Sequence, residues 1–260
     1  MTGSLAPSLR LQSTIVHALI MQDMNRRYAQ SRLGSLMAVV EPLILIGGIY
    51  ILRAYIQGAT RVGSVSLALF LVTGFLTYFC FRFVVSAVAA SGQRRTAALM
   101  FPQVTALDAM IAQSISSCVI YAAVLVLAFG LLVVWTGIRP NDYLYIFIAG
   151  FLTLAQAVAV GLVLGCILRV FPGLQLFVGL LMRIDLLFSG AMFLAAELPR
   201  SILPYVDWNP TFHTIEMMRE AWFPGYVSPL ADPAYVVELI IVLLAIGLSF
   251  ERITSARIPG

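Results

Sequence analysis

The sequence predicts an all-helical integral membrane protein. It has six crossing helices, an amphipathic helix lying on the membrane surface before them, and short re-entrant or interfacial helices between the fifth and the sixth. Three observations carry this reading. The 260-residue chain is 61% hydrophobic and 11% charged, with mean hydropathy +0.96, whereas an average soluble domain carries roughly 25% charge. Six apolar runs approach the roughly 20 residues that a helix needs to cross the hydrocarbon core. Arg and Pro residues punctuate the junctions between them. Residues 1–34 form a cytoplasmic N-terminus with the amphipathic helix, and 35–260 form the six-span domain.

In residues 9–30, Leu11, Ile15, Val16, Leu19 and Ile20 fall at helical spacing, interleaved with Gln12, Asp23, Arg26 and Arg27. Such a run is too polar to span and suits the headgroup layer. A cytosolic helix docked on a partner is the alternative. The stretch Met24–Pro42 joins this basic run to the first apolar one. Arg26, Arg27, Tyr28 and Arg32 precede the span; Glu41-Pro42 fall inside it, where a carboxylate and a missing backbone donor both need a reason.

The six runs lie near 36–56, 67–90, 108–135, 143–168, 174–195 and 234–251. Arg placement orients them. With the N-terminus inside, Arg10, Arg26, Arg27, Arg32, Arg94, Arg95, Arg169, Arg252 and Arg257 are cytoplasmic, and Arg53, Arg61, Arg139, Arg200 and Arg219 are outside. Both termini are then cytoplasmic. The long outer segment from Glu197 to Pro233 contains a helix start at Asn209-Pro210, with Asn capping and Pro in the first helical position. Pro224-Gly225 stops that helix. Phe212, Ile215, Met218 and Trp222 share one face of it, which places it on or dipping into the outer leaflet.

The sixteen basic residues are all Arg. A phosphate-binding loop of the GxxxxGK[ST] type needs a Lys, so the chain carries none and is not an enzyme with a nucleotide site of its own. His17 and His213 have no partners at metal-ligand spacing, so no metal site is expected. Cys80, Cys118 and Cys166 sit in apolar runs and read as free, packed thiols.

Charged residues within the spans are the candidate functional positions. Arg82, Arg183 and Asp185 each stand near the middle of a span, where such groups cost about 2.5–3.5 kcal/mol. Phe75, Tyr78, Phe79 and Arg82 fall on one face at 100° per residue. An aromatic stripe with an Arg suits a path for a sugar polymer, since ring faces hold the apolar sides of sugars and Arg holds hydroxyls, carboxylates or phosphates. The alternative is a packing face with Arg82 neutralised by Asp185. Arg183 and Asp185, two residues apart, point to nearly opposite faces. Gly161 and Gly165 form a GxxxG, a common sign of close helix packing. The loop 91–107, with Gly92, Arg94, Arg95 and Thr96, reads as a solvated basic loop or as a coupling element seated in a cytosolic partner.

The run Arg-Arg-Tyr-Ala-Gln-Ser-Arg-Leu-Gly-Ser-Leu (26–36), followed by Glu41-Pro42, resembles the N-terminal signature of ABC-2 type polysaccharide export permeases. In the outer segment Leu198-Pro199, Asn209-Pro210, His213, Glu216, Arg219 and Trp222-Phe223-Pro224-Gly225-Tyr226 extend the resemblance over the whole chain. It looks most like the membrane subunit of capsular polysaccharide exporters, with O-antigen and teichoic acid permeases as near neighbours. The resemblance implies an ABC-2 (type V exporter-like) homodimer with two cytosolic ATPase subunits, which bind the ATP and Mg that this chain does not. The implied cargo is a lipid-linked polysaccharide leaving the cytoplasm through the inner membrane. A periplasmic co-polymerase-type adaptor and an outer-membrane export protein would continue the route. Gly92–Thr96 become ATPase contacts; Arg26, Arg27, Tyr28, Arg32 and Glu41 become an inner-leaflet gate; Asn209, Pro210, His213, Glu216 and Arg219 become the outer re-entrant segment. A stand-alone channel or secondary transporter, or an intramembrane enzyme acting on lipid-linked sugars, is the competing class of function.

Overall fold

The computed structural model describes residues 15, 17–21, 32–56, 58, 61–62, 65–93, 105–199 and 201–257. Among them the order is α1 (Arg32–Ile51, running on as a π turn, Leu52–Ile56), a two-residue hairpin β1 (Arg61–Val62) and β2 (Val65–Ser66), and α2 (Leu67–Gln93). Then follow α3 (Ala106–Thr136), α4 (Tyr143–Val170), α5 (Gln175–Phe188), a single turn α6 (Leu203–Val206), α7 (Pro210–Trp222) and α8 (Pro233–Arg257). The antiparallel hairpin is a small addition to the expected all-helical architecture.

Four of these helices, α2, α3, α4 and the Pro233–Thr254 part of α8, are long and apolar enough to cross a membrane. The first apolar run forms α1, with Leu43–Tyr55 as its apolar part. The fifth is shorter than expected. The run 174–195 yields a helix only from Gln175 to Phe188, because Gly190 adopts a left-handed conformation (φ 76°) and turns the chain back into the bundle. Gly190 therefore lies beyond the helix that carries Arg183. An added Cβ there would meet the Phe212 ring at 2.8 Å.

Helix ends follow local chemistry. Thr105 and Asp108 make a reciprocal capping box at the start of α3, and Gly137 (φ 69°) closes its other end. Asp142 caps α4 by accepting from the Tyr145 amide at 3.0 Å.

At the centre of the protein is α4, packed against α2, α7 and α8. Its GxxxG does serve close approach. A Cβ on Gly161 would lie 2.8 Å from the Val88 Cβ, and one on Gly92 would lie 2.8 Å from the Gly165 carbonyl oxygen. Gly247 faces Leu162 and Val163 at the crossing with α8. By contrast, α3 turns Val126, Leu127, Leu131 and Val134 outward, and α4 does the same with Phe147 and Phe151. Exposed apolar side chains of this size over a span's length are the surface that lipid tails wet.

The helix α2 contains a π turn at Val72–Leu76. Such bulges loosen the i→i−4 ladder locally. Side chains compensate: the Thr73 hydroxyl donates to the Leu69 carbonyl at 2.8 Å, and that of Thr77 to the Thr73 carbonyl at 2.7 Å.

The close α2–α4 crossing makes a test. Gly161→Ala should overpack it, costing about 1–3 kcal/mol and lowering the unfolding temperature of the detergent-solubilised protein. Gly150→Ala, whose new methyl meets only a Leu125 carbon at 3.9 Å, should be neutral or slightly stabilising. Equal behaviour of the two variants would contradict close α2–α4 packing at Gly161.

Candidate functional site

Asn209 starts α7 by accepting the Thr211 amide on its side-chain oxygen at 2.9 Å, with Pro210 at the first helical position. Phe223-Pro224-Gly225 ends it, Gly225 being left-handed (φ 73°). One apolar face was expected on a surface helix. Instead Thr211–Arg219 are all buried, as are Ala221 and Trp222. The helix is enclosed by α4, α8 and the π turn of α2, so its polar residues had to find partners inside.

Glu216 and Arg219 are fully inaccessible and pair at 2.8 Å across one helical turn. Arg219 Nη1 also donates to the Phe193 carbonyl at 2.6 Å, and Nη2 to the Ala191 carbonyl at 3.2 Å. Its guanidinium lies 4.4 Å over the Phe70 ring. The other Glu216 oxygen accepts the hydroxyls of Ser228, at 2.7 Å, and Tyr226. Burial, and then the Glu216 charge, push the Tyr226 hydroxyl well above its ordinary range, so it stays a donor. The arrangement leans on Gly74 in the π turn of α2. A Cβ there would sit 2.7 Å from Arg219 Nη2 and 2.8 Å from the Ala191 carbonyl oxygen.

A second polar chain crosses the bundle. Gln156 of α4, wholly buried, donates to the Thr211 hydroxyl at 2.9 Å. Asn209, two residues before it, donates its side-chain amide to Asp185 of α5 at 2.8 Å. The Tyr78 hydroxyl of α2 donates to the Met182 carbonyl of α5 and lies beside the Asp185 carboxylate.

His213 forms a third tie. Its Nε2 lies 2.6 Å from the Asp207 carbonyl oxygen, Nδ1 faces the Asp232 amide at 3.4 Å, and its ring packs 4.8 Å from that of Tyr235. An amide facing Nδ1 assigns the ring proton to Nε2. His213 thus joins both ends of the outer segment from a buried position.

The expected site residues divide into groups. Phe75, Tyr78 and Phe79 do share a face with Arg82, and their rings pack on one another. They are buried in the core of this chain, whereas Arg82 is partly exposed. Neutralisation of Arg82 by Asp185 does not occur: among the described residues the two form no ion pair, and Asp185 is bound by Asn209. Arg183 is exposed and Asp185 half-buried, on different faces as expected. Asn209, Pro210, His213, Glu216 and Arg219 come together in one buried helix. Gly92 is used in packing against Gly165. Arg32 begins α1 and Glu41 lies within it. Arg26, Arg27, Tyr28, Arg94, Arg95 and Thr96 lie outside the described residues.

Gly74, Gln156 and Ser228 were not anticipated. Gln156 was legible, as an amide near the middle of an apolar span must find a partner. Gly74 and Ser228 carried no local signal, because their partners are far away in sequence.

The profile of the ABC-2 type transporter membrane family matches residues 14–223. The polysialic acid transport protein KpsM of Escherichia coli is 28% identical over 249 residues, 93% of this chain and 94% of that protein. The capsule polysaccharide export inner-membrane protein CtrC of Neisseria meningitidis is 27% identical over 244 residues, covering 93% and 91%. The protein BexB of Haemophilus influenzae, of the same description, is 26% identical over 243 residues, covering 93% and 91%.

Arg219→Met should strand the Glu216 carboxylate and cost about 3–5 kcal/mol, the range for breaking a buried pair. Tyr226→Phe removes one donor to that charge and should cost about 1.5–3 kcal/mol. Thermal unfolding in detergent reads both, and the larger drop should belong to Arg219→Met.

Proposed function

The chain belongs to the ABC-2 type transporter family, and on that premise we propose that it is the membrane subunit of a capsular polysaccharide exporter of the inner membrane. The observation that carries this reading is the end-to-end similarity to KpsM, CtrC and BexB, whose descriptions are of polysialic acid transport and capsule polysaccharide export. Those descriptions favour capsule polymer over O-antigen or teichoic acid. The cargo is a lipid-linked polysaccharide. A chain without Lys has no phosphate-binding loop of its own, so two separate cytosolic ATPase subunits supply ATP hydrolysis with Mg.

In this reading α1 and α5 join the four long helices as a six-span domain with both termini cytoplasmic. The amphipathic N-terminal helix lies at the inner-leaflet surface, and α7 is the re-entrant element near the exit. Two copies pair; the apolar helix α5, which has no fully buried side chain within one protomer and turns Leu176, Phe177, Leu180 and Leu187 outward, supports that arrangement. Arg82, Arg183 and Asp185 line the conduit, Arg82 backed by Phe75, Tyr78 and Phe79. Gly92, Arg94, Arg95 and Thr96 contact the ATPase, and Arg26, Arg27, Tyr28, Arg32 and Glu41 admit the lipid end. A periplasmic adaptor and an outer-membrane export protein continue the route.

Mild solubilisation from the native host, followed by mass spectrometry, tests the reading. An equimolar ATPase recovered with glycolipid supports it; a stable, lone monomer contradicts it and favours a channel or enzyme. Arg82→Ala should lower export of polymer from proteoliposomes while ATPase docking persists, and full export would remove Arg82 from the pathway. Arg94→Glu with Arg95→Glu should detach the ATPase or abolish its stimulated hydrolysis. Normal binding and stimulation in that double variant would refute the coupling assignment.

A further inference from the structure

We propose that Asn209 is a positioning residue that ties α5 to the buried helix α7, and that through this tie a movement of α5 is felt at the α7 cap. Three observations meet at this residue. First, α5 has no fully buried side chain in the protomer, Met182 and Leu186 being only part-buried against the core, so apolar packing within the chain holds it less firmly than its neighbours. Second, its polar bonds inward are specific: Asp185 accepts from Asn209 at 2.8 Å, and the Met182 carbonyl accepts from Tyr78. Third, α7 is anchored independently by the Glu216–Arg219 pair and by Gln156 on Thr211.

The amide of Asn209 is used at both ends. Its oxygen holds the Thr211 amide at 2.9 Å and caps α7, while its nitrogen holds Asp185. Both bonds share one planar group, so rotating the side chain to follow α5 misaligns the cap. Displacement of α5 must break the Asp185 bond or loosen the first turn of α7. The Asp185 carboxylate is shielded from solvent on its second oxygen, and besides Asn209 it has the Tyr78 hydroxyl beside it. The carboxylate therefore depends on the Asn209 side more than a well-hydrated one would. The tie needs a donor at one position and an acceptor at the other, and this requirement can be inverted.

Whether α5 moves during export rests on the function proposed above; the tie itself does not. The test is hydrogen–deuterium exchange on the full-length protein, with its ATPase, in lipid nanodiscs. Asn209→Asp keeps an oxygen for the Thr211 amide but sets a carboxylate against Asp185. Amides of 175–188 should then exchange about fivefold faster, the factor equivalent to about 1 kcal/mol for one hydrogen bond, while those of 211–222 remain protected. Adding Asp185→Asn restores a donor–acceptor pair in the opposite sense and should return α5 to its original protection. Unchanged exchange of α5 in Asn209→Asp, or failure of the swapped pair to restore it, overturns the proposal. Loss of protection throughout α7 also overturns it, because Asn209 would then act only as a cap. None of these readouts depends on the exported polymer, so export failing in an otherwise normal tie counts against the function and not against the tie.

Discussion

The salt bridge between Glu216 and Arg219 is the constraint around which this protein is assembled. Removing two charges from water costs several kcal/mol per ion, recovered only when the geometry is good and every other donor and acceptor is used. Here the requirement draws in distant segments. The carbonyls of Ala191 and Phe193 come from the turn after α5, the Phe70 face from α2, and the hydroxyls of Tyr226 and Ser228 from the loop before α8. One helical turn of α7 thereby brings the chain before it, the chain after it and the second span to a single point.

Close approach makes that convergence possible. Gly74 leaves room for the guanidinium within a π turn, and Gly161, Gly165 and Gly92 let α2 and α4 run backbone against backbone. In a bilayer, apolar burial does little to drive helix against helix, because lipid tails are as apolar as Leu. Dispersion over short distances and internal polar bonds have to do that work. The resulting unit of α2, α4, α7 and α8 is tightly packed, while α5 is joined to it by part-buried Met182 and Leu186 and by the bonds of Asp185 and the Met182 carbonyl. Such unequal attachment is what a transporter needs if one part is to move against another.

As a membrane protein of the ABC-2 type transporter family, the chain implies a partner ATPase. Within the chain the long helix α4 is packed against α2, α7 and α8, and Asn209 joins α5 to α7.

Much of this was written locally. The spans were legible because a stretch of apolar side chains about 20 residues long has few other stable fates. Asn209-Pro210 and Pro224-Gly225 marked the ends of α7 because caps act over three or four residues. The buried state of α7 was not legible. Its apolar positions Phe212, Ile215, Met218 and Trp222 placed it on or dipping into the outer leaflet, and only the carbonyls of Ala191 and Phe193, together with Tyr226 and Ser228, make the burial of Arg219 and Glu216 tolerable. Arg82 and Asp185 looked like partners by charge and depth, but helix rotation gave Asp185 to Asn209. Composition and local periodicity alone thus determined that the chain is a membrane protein, roughly where its spans lie, where α7 begins and ends, and that it has no GxxxxGK[ST] loop. Tertiary structure decided which polar groups meet, because pairing inside a membrane depends on rotations and approaches that residues far apart in the chain settle jointly.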